Sequence, residues 1–329
     1  MKRIRFAIFL FLIILIGCVP TGQKVGIKIK RLEISMFECP VAALRDSVPA
    51  FYREYGDFFR LVTEGVLSIG DSSNPAFTDY LTSFITDYSV FQSYQEVKKQ
   101  YTDLSDIENR LSSAFGMYTS VFGNEKIPQV YSYISGYNQG IIAVDSIIGI
   151  GLDMYLGADY DGYKMLWPDK KYKRNNLFRK KIPSDCMQFW AIARYPYNSS
   201  ENDVLSNMIY FGKIWYFSKQ MMPDEADSLI FGYTGPQVKW CNNNEKQMWT
   251  YLVEHKMLYN SDYLIVNKLI GDGPFTQFFT RESPGKASVW LGYRIVESYM
   301  KKNSSISLPA LMQENDCHKI LRMSRYNPD

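Results

Sequence analysis

Residues able to do chemistry are few and scattered in this chain of 329 residues, whose only histidines are His255 and His318. His255 ends the stretch "YLVEH", which puts Tyr251 where an inverted zinc-ligand motif, H-x-x-E-H, has its first histidine. Zinc needs three or four ligands and a neutral phenol is a poor one, so the match reads as chance. His318 follows Cys317 in "ENDCHKILRM". Adjacent residues point to different faces of a helix, so these two do not make a nucleophile and its base. Both histidines are expected to be surface or structural groups. Asp153, Asp159 and Asp161 cluster in "GLDMYLGADYDGY". Closely spaced oxygen donors suit Ca²⁺, but the spacing is not that of an EF-hand, and turn-forming aspartates are the expectation. H-E-x-x-H, G-x-S-x-G, G-x-x-x-x-G-K-[ST] and G-x-G-x-x-G are all missing. The expected catalytic, cofactor-binding and metal-binding sets are therefore empty.

One cysteine stands apart. Cys18 ends an apolar run, Phe6 to Ile16, that follows Lys2, Arg3 and Arg5. As a helix that run rises about 16 Å, short of a hydrocarbon core of about 30 Å. A basic start, a short apolar stretch and small residues are the anatomy of a secretory signal. The ending Leu15-Ile16-Gly17-Cys18 resembles the bacterial lipobox, after which the leader is removed and the cysteine is acylated. Residues 1–17 are thus expected to be a removed signal peptide, Cys18 the lipidation site, and 18–24 a tether. Cys39, Cys186, Cys241 and Cys317 contain no Cys-x-x-Cys pair, which leaves disulfides and isolated buried thiols both open.

Without residues 1–17 the chain carries 34 basic and 34 acidic residues. A neutral chain has no electrostatic reason to bind nucleic acid. The one basic cluster, "KKYKRNNLFRKK" (Lys170 to Lys181), is expected to be a solvated loop. The 25 Tyr, 20 Phe and 6 Trp are spread along the chain, which points to an aromatic-rich core more than to a single binding platform. Three Asp-Ser-aliphatic triplets resemble an envelope O-glycosylation sequon, with Ser47 and Ser228 as weak candidates.

The elements that would position these groups read as α+β, mostly helical. "VGIKIKRLEISMFE" (Val25 to Glu38) alternates apolar and charged residues, which predicts an extended segment. From Pro40 to about Val121 apolar residues recur three and four apart, as in helices, with Asp103 and Ser105 as candidate caps. Ile, Val and Tyr with punctuating glycines predict a small central sheet at about 127–153. Helices resume at Pro183. One is closed by Pro223, the next opens on a Thr234/Gln237 capping box, and the last opens with Pro284 in its first turn. Residues 25–329 are read as one unit, helical to about 125, then sheet plus helices from about 126.

"NMIYFGKIWYFSKQMMP", "YTGPQVKWCNNNEKQMW" and "SPGKASVWLGYRIVESYM", together with "GLDMYLGADYDGY" and "IKIKRLEISMFE", resemble the gliding-motility lipoprotein family GldB of the Bacteroidota. The resemblance implies a lipoprotein of the cell envelope linked to gliding and type IX secretion. Its membrane attachment would be through Cys18 and its partners would be other envelope proteins. "VPTGQK" after Cys18 has no acidic run, which favours the outer-membrane inner leaflet, facing the periplasm. The part after the sheet also resembles a zinc-peptidase scaffold. Where its histidine helix would lie, the chain has "DCMQFWAIARY", with Phe189 and Trp190; in the next helix it has Ser206 and Asn207 for the acidic ligand. That implies a degenerate zincin-like core, packed rather than metal-bound, in a non-catalytic protein. An envelope hydrolase, either a degenerate metallopeptidase or a glycosidase using two carboxylates, and a glycan-binding lipoprotein are the alternatives.

Overall fold

The computed structural model describes residues 24–123, 125–198 and 201–328. The N-terminal part holds β1 (Ile29–Arg31), α1 (Leu32–Phe37), α2 (Leu44–Tyr55), α3 (Asp57–Arg60), α4 (Phe77–Thr86), α5 (Tyr88–Gln100) and α6 (Ser105–Phe122). Three strands follow: β2 (Gln129–Tyr133), β3 (Ile141–Val144) and β4 (Ile147–Gly151). Then come α7 (Asp161–Leu166), α8 (Lys171–Arg174), α9 (Ile182–Arg194), α10 (Val204–Met221), α11 (Asp227–Phe231) and α12 (Gly235–Asn243). The chain continues through α13 (Glu245–Glu254), α14 (Tyr263–Ile270), α15 (Ala287–Lys302), α16 (Leu308–Gln313) and α17 (Cys317–Ser324). The fold is mostly helical with a small mixed sheet, as the periodicity predicts. Among the described residues no helix is long and apolar enough to cross a membrane.

The sheet order is β1-β2-β4-β3, with β1 and β4 parallel to β2 and β3 antiparallel to β4. The strand period of two divides the interior. Val130, Ile148 and Ile150 face a core built with α5, α6, α9, α10 and α15, while Tyr131 and Tyr133 face a second core under α1 to α4. Phe58 stacks on Tyr131 at 4.3 Å between ring centroids. Phe58 has room because the residue paired with Tyr131 across the strands, Gly149, carries no side chain: a Cβ there would meet the Phe58 ring at 2.5 Å. Trp190 and Trp290 are fully buried and no tryptophan is among the exposed large hydrophobics. Many aromatics fill the core, as their even spread implies, although Tyr88 and Tyr263 among others are exposed.

Helix α10 is apolar nearly all round and packs against neighbours on every side, which is the pattern of a buried central helix. It crosses α15 with backbones in contact at Gly212 and Gly292. A Cβ on Gly292 would lie 1.8 Å from the Met208 carbonyl oxygen, and one on Gly212 would lie 2.4 Å from the Gly292 carbonyl carbon.

Several local expectations change. The segment from Val25 is a strand only over Ile29–Arg31 and then turns helical. Its alternation continues into α1, but Leu32, Glu33 and Met36 are all buried there, so helix packing outweighs the period-two pattern. Asp103 does not cap α6. It accepts hydrogen bonds from Ser105 N (3.0 Å) and Oγ (2.6 Å), which places it in the turn before Leu104, the actual cap. Pro284 lies outside α15, whose first residue is Ala287 after Lys286 in the left-handed region (φ 61°). The Thr234/Gln237 capping box is present.

The basic cluster is solvated only in part: Lys170, Lys171, Lys173 and Lys180 are exposed, but the other three are not. Arg174 and Lys181 are buried. Arg179 reaches Asp106 at 2.5 and 3.0 Å, donates to the carbonyls of Gln100 (2.9 Å) and Asp103 (2.6 Å), and lies over the Tyr101 ring at 4.8 Å. Arg179 thus pins α6 to the segment before α9, while Lys181 pairs with Asp185. Arg179→Ala is expected to cost about 2 kcal/mol of stability, since a forked, charge-assisted set of bonds is lost together with a ring contact. Urea denaturation read by tryptophan fluorescence measures it, and a change within about 0.5 kcal/mol would mean the cluster is peripheral.

Candidate functional site

Cys18 lies outside the described residues. The four cysteines inside them are free. Burial pushes Cys241 up to about 12 and Cys317 up to about 11, and raises Cys186 well above the usual thiol range. Thiols held protonated in this way are poor nucleophiles at neutral pH. Ser47 and Ser228 are both partly buried in helices, and the Ser47 hydroxyl donates to the Ala43 carbonyl at 2.9 Å. His255 is exposed at the end of α13, its Nδ1 3.0 Å from the Tyr251 carbonyl and its ring stacked on Tyr251 at 4.1 Å. The "YLVEH" stretch therefore forms a helix end.

The three clustered aspartates part company. Asp159 and Asp161 are exposed, whereas Asp153 is fully buried. Its carboxylate accepts from Ser135 N (2.8 Å), Ser135 Oγ (3.0 Å) and Tyr137 N (2.8 Å). Gly136 and Tyr137 are both in the left-handed region, at φ 66° and 63°. That turn aims two backbone N–H groups inward, and one acid anchors them to the end of β4. Asp153 is a buried acceptor that shapes the loop between β2 and β3, not a turn former of its own segment.

Trp190, Ser206 and Asn207, singled out in the sequence, are taken up by packing and capping. Trp190 on α9 is 1 % exposed, with its ring edge-on to Phe115 (5.7 Å) and Tyr118 (6.1 Å). Phe189 points outward, 38 % exposed. Ser206 and Asn207 sit in the first turn of α10 and serve Asp203. Ser206 N donates to Asp203 Oδ1 (2.8 Å), the N-cap bond of the helix, and Asn207 Nδ2 donates to the Asp203 carbonyl (2.8 Å).

Asp203 belongs to the tightest set of candidate ligands. Among the described residues, Glu201, Asp203 and His318 are the one group whose donor atoms lie within 4.8 Å of one another. His318 Nε2 is 2.5 Å from Glu201 Oε2 and 3.8 Å from Asp203 Oδ2. Asp203 is 5 % exposed and its orientation is fixed by the cap. His318 is the second residue of α17, and its ring stacks on Tyr259 at 5.2 Å. The loop carrying Tyr259 is itself tied to α10, through Val204 N to Asn260 O (3.0 Å) and Leu205 N to Leu258 O (2.8 Å). Sequence reasoning passed over Glu201 and Asp203. Their only local signal is an acidic pair two residues apart just ahead of an apolar helical run; their proximity to His318 is a tertiary fact.

A second polar feature is a groove of about 660 Å³ near the ends of α13 and α15, lined among others by Glu245, Arg294, Glu297, Lys301 and Tyr326. Its two carboxylates share one guanidinium. Arg294 Nε donates to Glu245 (3.0 Å) and its NH1 to Glu297, while the Tyr326 hydroxyl donates to Glu245 (2.7 Å). Glycosidase chemistry asks one acid to hold a proton and the other to face the sugar. Here the arginine between them makes a structural ion-pair network.

A family model described as gliding motility protein GldB matches residues 19–328. No curated protein and no solved structure matches the chain.

Proposed function

The chain belongs to the gliding motility protein GldB family, and from that membership we propose that it is a lipid-anchored component of the motility machinery that works through protein contacts rather than catalysis. Cys18 is the anchor in this reading. Residues 25–329 form one unit on the periplasmic side of the outer membrane, beside other envelope proteins of the motility or secretion apparatus. The observation that carries the non-catalytic part is Trp190. A zinc-peptidase ancestor would place its metal helix where α9 packs, and there the side chain is a buried indole wedged against Phe115 and Tyr118. Burying such a ring stabilises the fold by about 2–3 kcal/mol, which supports packing rather than metal at this place.

Anchoring by several acyl chains at about 0.8 kcal/mol per buried CH₂ is stable, and none remains without the thiol. Cys18→Ala is therefore expected to abolish labelling of the protein by a radioactive fatty acid, to leave the leader uncleaved, and to abolish colony spreading. Crosslinking in cells followed by mass spectrometry completes the test. Motility or secretion proteins recovered with the wild type and lost with Cys18→Ala support the reading. Recovery instead beside glycan- or peptide-degrading systems overturns it.

A further inference from the structure

We infer that Glu201, Asp203 and His318 bind one divalent transition metal of the zinc class, clamping α17 to the head of α10. Three features meet at this corner. His318 Nε2 is shielded from solvent and makes no hydrogen bond, although it faces two carboxylates at 2.5 and 3.8 Å. Asp203 is held by the helix cap through Oδ1, which leaves Oδ2 directed at the imidazole. The ring of His318 is held in turn by its stack on Tyr259.

Bonds of about 2.0–2.2 Å in a tetrahedral site set neighbouring donors about 3.3 Å apart. The two observed separations bracket that distance. Small rotations of Glu201 and His318, whose side chains are 55 % and 40 % exposed, complete the geometry while buried Asp203 stays fixed. One imidazole nitrogen with two carboxylate oxygens favours Zn²⁺ and its neighbours over Ca²⁺ or Mg²⁺, which prefer oxygen alone. Two carboxylates also balance the charge of a divalent ion. Three protein ligands leave a fourth position for water on the solvent side. The role is structural: α10 is the central helix of the fold and α17 its last, and the metal joins them at their N-terminal ends.

The test uses the full-length lipoprotein in detergent, stripped with a chelator and titrated with Zn²⁺ by calorimetry and with Co²⁺ by visible spectroscopy. One metal per chain is expected, with tetrahedral Co²⁺ bands and a Zn²⁺-dependent rise in the unfolding midpoint. His318→Gln and Asp203→Asn are each expected to weaken binding at least tenfold. Asn caps helices as well as Asp does, so the second variant keeps α10 intact, and midpoints in chelator verify that both variants fold. His255→Gln, which removes the other histidine, should bind as the wild type does. Absence of stoichiometric binding overturns the assignment, and so does His318→Gln binding as tightly as the wild type.

Discussion

Gly292→Ala is expected to lower stability by about 4 kcal/mol, or to prevent folding, although it adds a single methyl group. The added carbon would lie 1.8 Å from the Met208 carbonyl oxygen and 2.4 Å from its carbonyl carbon, both backbone atoms of the facing helix. A flexible side chain could swing aside from such a clash. A hydrogen-bonded helix backbone cannot, so α10 and α15 must separate along their contact. Interiors are close-packed, and the shift would pass to the residues on either side, including Trp290 and Phe217, both buried. Gly212→Ala strikes the same crossing from the other side, with its nearest contact at 2.4 Å. Gly235→Ala is the control. Nothing lies within 4 Å of its added carbon, and the effect should stay within about 0.5 kcal/mol. Urea unfolding of the three variants decides the matter. If Gly292→Ala behaved like Gly235→Ala, the helices would not meet at the glycines.

Asp153→Ala is expected to cost about 3–5 kcal/mol. Two backbone N–H groups and a hydroxyl lose their common acceptor in a place water does not reach, and each orphaned donor costs about 1–3 kcal/mol. The loop from Ser135 to Gln139 would lose the anchor that holds Tyr137 in the left-handed region. Burial raises the Asp153 carboxyl above its ordinary value of 3.8, and the hydrogen bonds from Ser135 and Tyr137 offset this only in part. A raised folded value means that the native state holds the proton more firmly than the unfolded chain does. The contribution of this acid is therefore full below about 3.8 and declines as pH rises through the folded value. The gap in stability between wild type and Asp153→Ala should accordingly widen on acidification. Carboxylates held below their ordinary range by their partners, such as Asp106 beside Arg179, pull the other way. They do so equally in both proteins, and the gap removes them. A gap that narrowed in acid would mean that the folded value of Asp153 lies below the unfolded one.

Patterns with short range were legible before any coordinates. The apolar run ending at Cys18 and the change of period at about residue 127 are local, and the three strands at 129–151 fall where Ile, Val, Tyr and spaced glycines put them. The capping box at Thr234 is equally local, because its two partners lie within one turn. Proline and alternation were weaker guides. Pro284 precedes its helix and does not open it, and the alternation from Val25 runs on into α1, because backbone preferences of a few tenths of a kcal/mol yield to burial worth several times more.

What the chain alone could not reveal depends on segments far apart in sequence. Arg179 reads as solvated until Asp106 on α6 and the connection from Gln100 to Asp103 meet it. Gly212 and Gly292 look like two weak points in helices until the helices cross there. Asp153 reads as a turn former until the loop from Ser135 closes over it. Glu201, Asp203 and His318 carry no shared motif, and only the packing of α17 on α10 joins them. Composition and periodicity determined which kinds of elements this protein builds, and the lipobox carries only the proposal that Cys18 anchors it. Tertiary structure decided which polar groups are buried, paired or gathered at one point, because those outcomes depend on long-range packing, which no local window of sequence contains.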